Sequence, residues 1–436
     1  MPIAIRFWDG SEIASAADPP RFTVLVEGPD ALADLLREPN QLGLGRAWVT
    51  GELDLRGDVE DVFALSDRFA GLRFGWRARL TAIGHARRLG ALRGALRTSI
   101  PASESRLRGR AHSIRRDRGA ISHHYDVSNQ FYRLVLGPSM VYSCAYFDDP
   151  EETLEAAQQR KLDVICRKLA LSPGERLLDI GCGWGSLLIH AATHYGVRAV
   201  GVTISERQAE LARSRIRAAG LADRCEVRLV DYRQIDDGPY DKIASVGMYE
   251  HVGRAELERY VTSVRALLGP GGLFLNHGIA RLHSRAGGPK SFISRYVFPD
   301  GELHPIDALA AGVQACGMEM RDVESLREHY PLTLQHWGAN LAADREEAIA
   351  AAGVERERIW RLYMAASAVA FERGDISVFQ TLIGNPGKPF GLPLDRSRIR
   401  AATGGEDDRR RAQTRGGTSS APRTSAAASR PISAQP

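Results

Sequence analysis

The stretch LLDIGCGWGS, residues 177–186, sets a short apolar run against an acidic residue and then places glycine at every second position. Such a run reads as a buried strand. Glycines directly after it let the chain turn sharply and bring its backbone close to a ligand, because no Cβ intervenes. The flanking text defines the sheet to which this strand belongs. RLLDI (176–180), RAVGVT (198–203), CEVRLVD (225–231), YDKIASVG (240–247) and LFLNH (273–277) read as strands. Between them lie the helical stretches SLLIHAATHY (186–195), SERQAELARSRIRAAG (205–220) and RAELERYVTSVRALL (254–268), the last closed by GPGG. Asp149-Pro150-Glu151-Glu152 predicts a further helix start, with a capping acid and proline at the first turn, and that helix stops at Ser172-Pro173-Gly174. Strands alternating with ~10–15-residue helices predict a parallel, doubly wound α/β sheet, whose ligands bind at the carboxyl edge where the glycine loop lies.

The whole chain has 436 residues, enough for two or three domains, with 44% hydrophobic and 25% charged residues, a soluble globular composition. A net charge of +5 points mildly towards anionic partners. The five cysteines are scattered and form no C-x-x-C pair, which argues for a reducing compartment, against a disulfide framework and against a zinc site; no metal is expected. No signal-peptide layout opens the chain and no stretch reaches the ~18 uninterrupted apolar residues of a membrane span. The expectation is a cytoplasmic protein that meets a membrane, if at all, peripherally at its inner face. Residues 1–118 are expected to form a small α+β unit, up to about Asp67, followed by a basic stretch. That stretch carries twelve arginines between Phe74 and Arg118, among them Arg87, Arg88, Arg93 and Arg97, with Leu80, Ile83, Leu89, Leu92 and Leu96 at helical spacing. It reads either as a basic amphipathic helix for an anionic membrane surface or as a connecting helix with a solvated face. Residues 119–385 form the α/β domain. Residues 386–436 form an extension and a tail, and the Ser-, Ala-, Gly-, Pro- and Arg-rich text from Gly404 cannot bury enough apolar surface to order itself, so a disordered tail is expected.

A dinucleotide would require a ribose-gripping acid after the second strand, where the chain instead has Thr203-Ile204-Ser205. The order Asp179-x-Gly181-x-Gly183-x-Gly185 resembles the first motif of class I methyltransferases that use S-adenosylmethionine. Together HHYDVSNQFYRLVL (123–136), MVYSCAYF (140–147), LLDIGCGWGSL, GVTISERQ (201–208), SVGMYEHVG (245–253) and RYVFPDGEL (295–303) resemble the cyclopropane-fatty-acyl-phospholipid synthase family and its mycolic acid relatives, from about Ala120 to Leu382. The resemblance implies a seven-stranded methyltransferase sheet with a helical cover over the lipid site. It also implies methyl transfer from S-adenosylmethionine to the double bond of an unsaturated phospholipid acyl chain, with bicarbonate removing a proton as the ring closes.

By the same resemblance, Cys144, Glu250, His277 and Tyr330 are the catalytic residues and, with Ile279, hold the bicarbonate. Glu250 and His277 both follow strands at the carboxyl edge, and a protonated His277 is expected to donate to the anion. Tyr142, Ser143, the glycine loop, Thr203, Gln208, Tyr232 and Arg233 are implied to bind the cofactor. Gln208 has a competing role, because Ser205-x-x-Gln208 is also a capping box. His251, His123 and His124 read as structural. One departure from the family stands at Ser367, where many members carry a cysteine. RYVFPDGELH and VESLREHYPLTLQHW resemble a branch in which some members make methylene or methyl-branched chains. The cyclopropane is the preferred product and the methylene chain the alternative, the latter needing a reductase partner to become a methyl branch; a homodimer is a further expectation. A nucleic-acid methyltransferase is disfavoured, since the strand before Glu250 leads into SVGMYEHVG and not an Asn/Asp-Pro-Pro-aromatic motif. A lipid-binding protein without catalysis would not need Glu250 and His277 at adjacent strand ends.

Overall fold

The computed structural model describes residues 3–14, 19–31, 38, 40–63, 84, 100–107, 109–125, 127–283 and 291–395. Arg87, Arg88, Arg93 and Arg97, the apolar residues interleaved with them, and the tail from Gly404 lie outside the described residues. Met1–Leu392 forms one compact unit; Pro393–Pro436 forms a second, of which residues 393–395 are described.

The N-terminal part is α+β, as expected. Its four-stranded sheet runs β2 (Glu12–Ala14), β1 (Ile3–Phe7), β3 (Phe22–Val26), β4 (Leu53–Arg56), with β1 and β3 parallel and the other pairs antiparallel. Helix α1 (Gln41–Thr50) starts at Asn40, whose side chain accepts from the Leu42 N–H at 2.8 Å, and ends at Gly51 in the left-handed region. Trp48 on α1 donates from Nε1 to the Arg358 carbonyl at 2.8 Å, and the Arg358 and Arg361 guanidinium groups lie over its ring at 4.5 and 4.6 Å.

The main sheet consists of β5 (Arg176–Ile180), β6 (Arg198–Thr203), β7 (Cys225–Leu229), β8 (Tyr240–Val246), β9 (Leu268–Arg281), β10 (Glu319–Ser325) and β11 (Ile376–Gly384). Its order is β10-β11-β9-β8-β5-β6-β7, and β11 alone runs antiparallel to its neighbours. The order reverses at β5, so the loop after β5 sits in the crevice at the switch point. Helices α2 (Ile114–Tyr125), α3 (Asn129–Leu136), α4 (Leu154–Lys168), α5 (Ser186–Tyr195), α6 (Glu206–Ala218), α7 (Leu257–Leu267) and α8 (Ile306–Ala315) precede or alternate with these strands. Between β10 and β11 come α9 (His329–Ala343), α10 (Arg345–Ala352) and α11 (Val354–Glu372), which pack with α3 as the helical cover. Among the described residues no helix is long and apolar enough to cross a membrane.

Two boundaries differ from the sequence reading. Helix α4 is capped by Thr153, whose Oγ1 accepts from the Ala156 N–H at 3.3 Å, while Asp149 is used one turn earlier, accepting from the Glu151 N–H at 2.9 Å. The GPGG stretch does not close α7 as a separate turn. It is absorbed into β9 as an irregularity, so that Tyr240 pairs with Leu268 and Lys242 with Leu273.

Candidate active site

The three glycines after β5 adopt φ of +81°, +53° and +81°, in the left-handed region where a Cβ is costly. The Gly181 and Cys182 N–H groups both donate to the Val202 carbonyl, at 2.9 and 3.1 Å, which folds the loop back over the end of β6. Their surroundings separate their roles. A Cβ at Gly181 would meet Met248 at 3.1 Å, and one at Gly185 would meet Ala212 of α6 at 3.2 Å, but one at Gly183 would meet nothing within 4 Å. Gly183 faces open space, and that space is a deep pocket.

Tyr142, Ser143, Asp179, Gly181, Gly183, Thr203, Gln208, Tyr232 and Arg233 all line this pocket; Gly185 lies outside the lining. Thr203 Oγ1 donates to Gln208 Oε1 at 2.8 Å, and the Ser205 N–H donates to Thr203 Oγ1 at 3.2 Å. Ser205 Oγ accepts from the Gln208 N–H, so the cap forms, with Thr203 serving the Ser205 amide. Arg233 is bound to Asp231 and Asp117 at 2.6 and 2.8 Å and to the His112 carbonyl at 3.1 Å. With its donors committed to this network, the guanidinium ties the start of α2 to the pocket rim. Residues that the sequence reading missed also line the pocket: Tyr125, Lys161, Trp184, Met248 and His251. His251, read as structural, has a ring whose pKa is pulled down to about 4, chiefly by burial and further by His112. Lys161 had a legible signal, since it falls on the buried stripe Leu154, Ala157, Gln158, Leu162, Ile165 of α4 and is 1% exposed.

Cys144, Glu250, His277, Ile279 and Tyr330 do not line that pocket. Glu250 sits in the 3₁₀ turn Tyr249–His251 just beyond β8, and its Oε1 accepts from the Ile279 N–H of β9 at 2.7 Å. Its Oε2 is buried without a hydrogen-bond partner, and burial pushes the carboxyl up to about 7. Two residues before Ile279, His277 faces Gln380 across the β9–β11 ladder, with Gln380 Nε2 3.3 Å from His277 Nδ1. With the Gln380 amide nitrogen placed on that side, it donates, so Nδ1 accepts and Nε2 carries the hydrogen. Nε2 is likewise buried and unpartnered. Burial holds the His277 pKa well below its ordinary value, with Lys161 and Lys168 adding to the effect. The imidazole is therefore neutral, which corrects the expectation of a protonated His277; a neutral Nε2–H still donates.

The Cys144 thiol donates to the Ala145 carbonyl at 3.3 Å, and burial raises its pKa, so it stays protonated and is no base. Tyr330, on α9, is held in its neutral form by burial, with Tyr363, Cys144 and Glu250 adding to the effect. Aromatic rings from the cover close over this region. Tyr142 packs against Trp337 and Trp360, with centroids 5.2 and 5.3 Å apart, and its hydroxyl meets that of Tyr363 at 3.3 Å. Ser367, one turn beyond Tyr363 on α11, is half-buried.

A switch-point pocket behind an Asp-x-Gly-x-Gly loop, on a seven-stranded sheet with one reversed strand, defines an S-adenosylmethionine-dependent methyltransferase of class I. The chain belongs to the family of mycolic acid cyclopropane synthetases, whose model matches residues 112–381. It is 41% identical over 391 residues to a probable fatty acid methyltransferase of Pseudomonas putida, covering 88% of this chain and 92% of that one. It is 32% identical over 405 residues to a tuberculostearic acid methyltransferase of Mycobacterium tuberculosis, covering 89% of each. The crystal structure of the mycolic acid cyclopropane synthase CmaA1 complexed with SAH and CTAB aligns with a TM-score of 0.58 at 34% identity, over 61% of this chain and 98% of that one.

Proposed function

We propose that this methyltransferase acts on the double bond of an unsaturated acyl chain in a membrane phospholipid, closes a cyclopropane there, and works from outside the bilayer at its cytoplasmic face. The observation that carries the reading is the pair of buried, unpartnered polar atoms, Glu250 Oε2 and His277 Nε2. An alkene is a weak, neutral nucleophile that needs no deprotonation before it reacts. Its π pair forms the new carbon–carbon bond as the sulfur–methyl bond breaks towards sulfur, leaving a positive charge on the neighbouring carbon. Placement and exclusion of water are what this step requires of the protein. The faces of Tyr142, Trp337 and Trp360 supply quadrupoles that favour a nearby cation. A proton must then leave the new methyl so that its electron pair can close the ring.

The donor set fits a small oxyanion such as bicarbonate. His277 Nε2–H and the Tyr330 hydroxyl are donors, Glu250 Oε2 is an acceptor that fixes where the anion's own proton points, and Cys144 lies beside them. Bound there, bicarbonate would supply a base. The Ile279 N–H is committed to Glu250 Oε1 and contributes by aiming that carboxyl.

A second reading, the exocyclic methylene chain, is favoured by the likeness to the tuberculostearic acid methyltransferase, which spans 89% of each chain. It requires a hydride to move from the methyl-bearing carbon to its neighbour before the same proton is lost, and a separate reductase to yield a branched methyl. Proton NMR of the product lipid separates the two. The cyclopropane gives a ring-methylene proton signal upfield of the tetramethylsilane reference; alkene signals far downfield with no such upfield signal would reverse the assignment.

A further inference from the structure

Lys161 is the feature of the cofactor pocket for which the reaction as described has no use. Its ammonium is 1% exposed and lines the pocket beside Ser143 and Asp179. Its single hydrogen bond among the described residues is donated to Ser143 Oγ at 2.6 Å, and no carboxylate lies within ion-pairing distance of it. An ammonium carries three donors, so two remain. Ser143, itself 6% exposed, spends a lone pair on Lys161, which leaves its hydroxyl hydrogen free to point elsewhere. In the same pocket, Asp179 is 3% exposed and its Oδ1 is buried with no partner. A buried cation and a buried anion, each under-satisfied and both open to one cavity, are complementary to a zwitterion. The amino-acid end of S-adenosylmethionine is such a group.

We propose that Lys161, together with the Ser143 hydroxyl, binds the α-carboxylate of the cofactor, and so sets the position of the sulfonium methyl relative to the lipid. The proposal rests on the methyltransferase reading of the pocket. Burial holds Lys161 well below its ordinary pKa, with Cys144 and Asp179 opposing, and raises Asp179, with Lys161 opposing. The other titratable groups in its electrostatic reach, the Cys144 thiol and His277, are neutral. A carboxylate arriving beside Lys161 favours its charged form, so binding draws in a proton wherever the free protein leaves the amine partly neutral.

The test uses the full-length protein and two ligands, S-adenosylhomocysteine and its decarboxylated analogue, which keeps the ammonium and lacks the carboxylate. Lys161→Met should weaken S-adenosylhomocysteine by ~10–100-fold, the loss of a buried charge-assisted contact, and leave the analogue within ~3-fold of wild type. An equal loss for both ligands would make Lys161 a scaffold residue only, and no loss for either would remove it from the site; both overturn the proposal. Calorimetry of the wild type at pH 8, in two buffers of different ionisation heat, gives the answer without a variant. The proposal expects more proton uptake with S-adenosylhomocysteine than with the analogue, and equal uptake overturns it. Failure of the wild type to bind either ligand would instead sink the cofactor pocket itself.

Discussion

Glu250→Gln is expected to bind S-adenosylhomocysteine as tightly as the wild type while losing ~10²–10⁴-fold in turnover, the usual worth of a positioned proton-transfer group. Glutamine still accepts from the Ile279 N–H through its carbonyl, so the turn after β8 keeps its anchor. What is lost is the carboxylate oxygen, unpartnered and buried, that would fix a proton during ring closure. The same substitution should stabilise the fold. Burial raises the Glu250 pKa from 4.5 to about 7, so ionising it costs stability that is absent below pH 4.5 and fully felt above pH 7. At pH 8 the variant should therefore be more stable by on the order of 1–3 kcal/mol, a margin that closes as the pH falls towards 4.5. Wild-type turnover should rise through about pH 7 as the carboxyl ionises. Near-normal turnover of the variant with bicarbonate present would remove Glu250 from the proton path, and a variant destabilised at pH 8 would contradict its buried charge.

Gly183→Val is expected to abolish the heat of S-adenosylhomocysteine binding. Two costs combine at this position. The backbone stands at φ +53°, where a β-branched residue is strained by about 1–3 kcal/mol. Its Cβ and methyls also enter space that is empty of protein because it belongs to the pocket. The strain alone should lower the melting temperature by only a few degrees, so the variant folds and the binding loss can be read directly. Gly183→Ala should fall between the two. A valine variant that binds within ~3-fold of wild type would mean that the glycine loop does not hold the cofactor.

The α/β sheet was legible because its strands are short apolar runs punctuated by glycine and capping residues, and because the Asp179 to Gly185 spacing admits few ligands. The same signals misplaced two boundaries. Asp149-Pro150 looks like a helix start, but Asp149 closes a local turn and Thr153 caps α4, a choice that depends on where the helix packs. GPGG looks like a stop, yet the β8–β9 ladder absorbs it as an irregularity, since pairing partners are not visible one strand at a time. Within the site, the sequence reading ended a strand at His277, but β9 runs on to Arg281, so His277 lies inside it, level with Val246 at the end of β8. Residue type alone could not give its charge. The charge follows from burial, with Lys161 and Lys168 adding to the effect, and the ring's hydrogen-bond partner Gln380 stands more than a hundred positions away. Arg233, implied by the resemblance to bind the cofactor, has its guanidinium taken up by Asp117 and Asp231, which the fold brings to it. Lys161 left a trace that could have been used, a lysine on the buried stripe of an amphipathic helix.

The central claim is that the methyl of S-adenosylmethionine ends on an acyl-chain alkene carbon and loses one hydrogen as the product forms. Incubating the purified protein with monounsaturated phospholipid vesicles, bicarbonate and S-adenosylmethionine bearing a trideuterated methyl tests it most directly, with the acyl chains then weighed by mass spectrometry. The account predicts chains heavier by one CD₂ unit, one deuteron having left with the base, and an equal amount of S-adenosylhomocysteine. Acyl chains heavier by a full CD₃ in place of hydrogen, or unchanged acyl chains beside a headgroup or second compound that has gained CD₃, would contradict it.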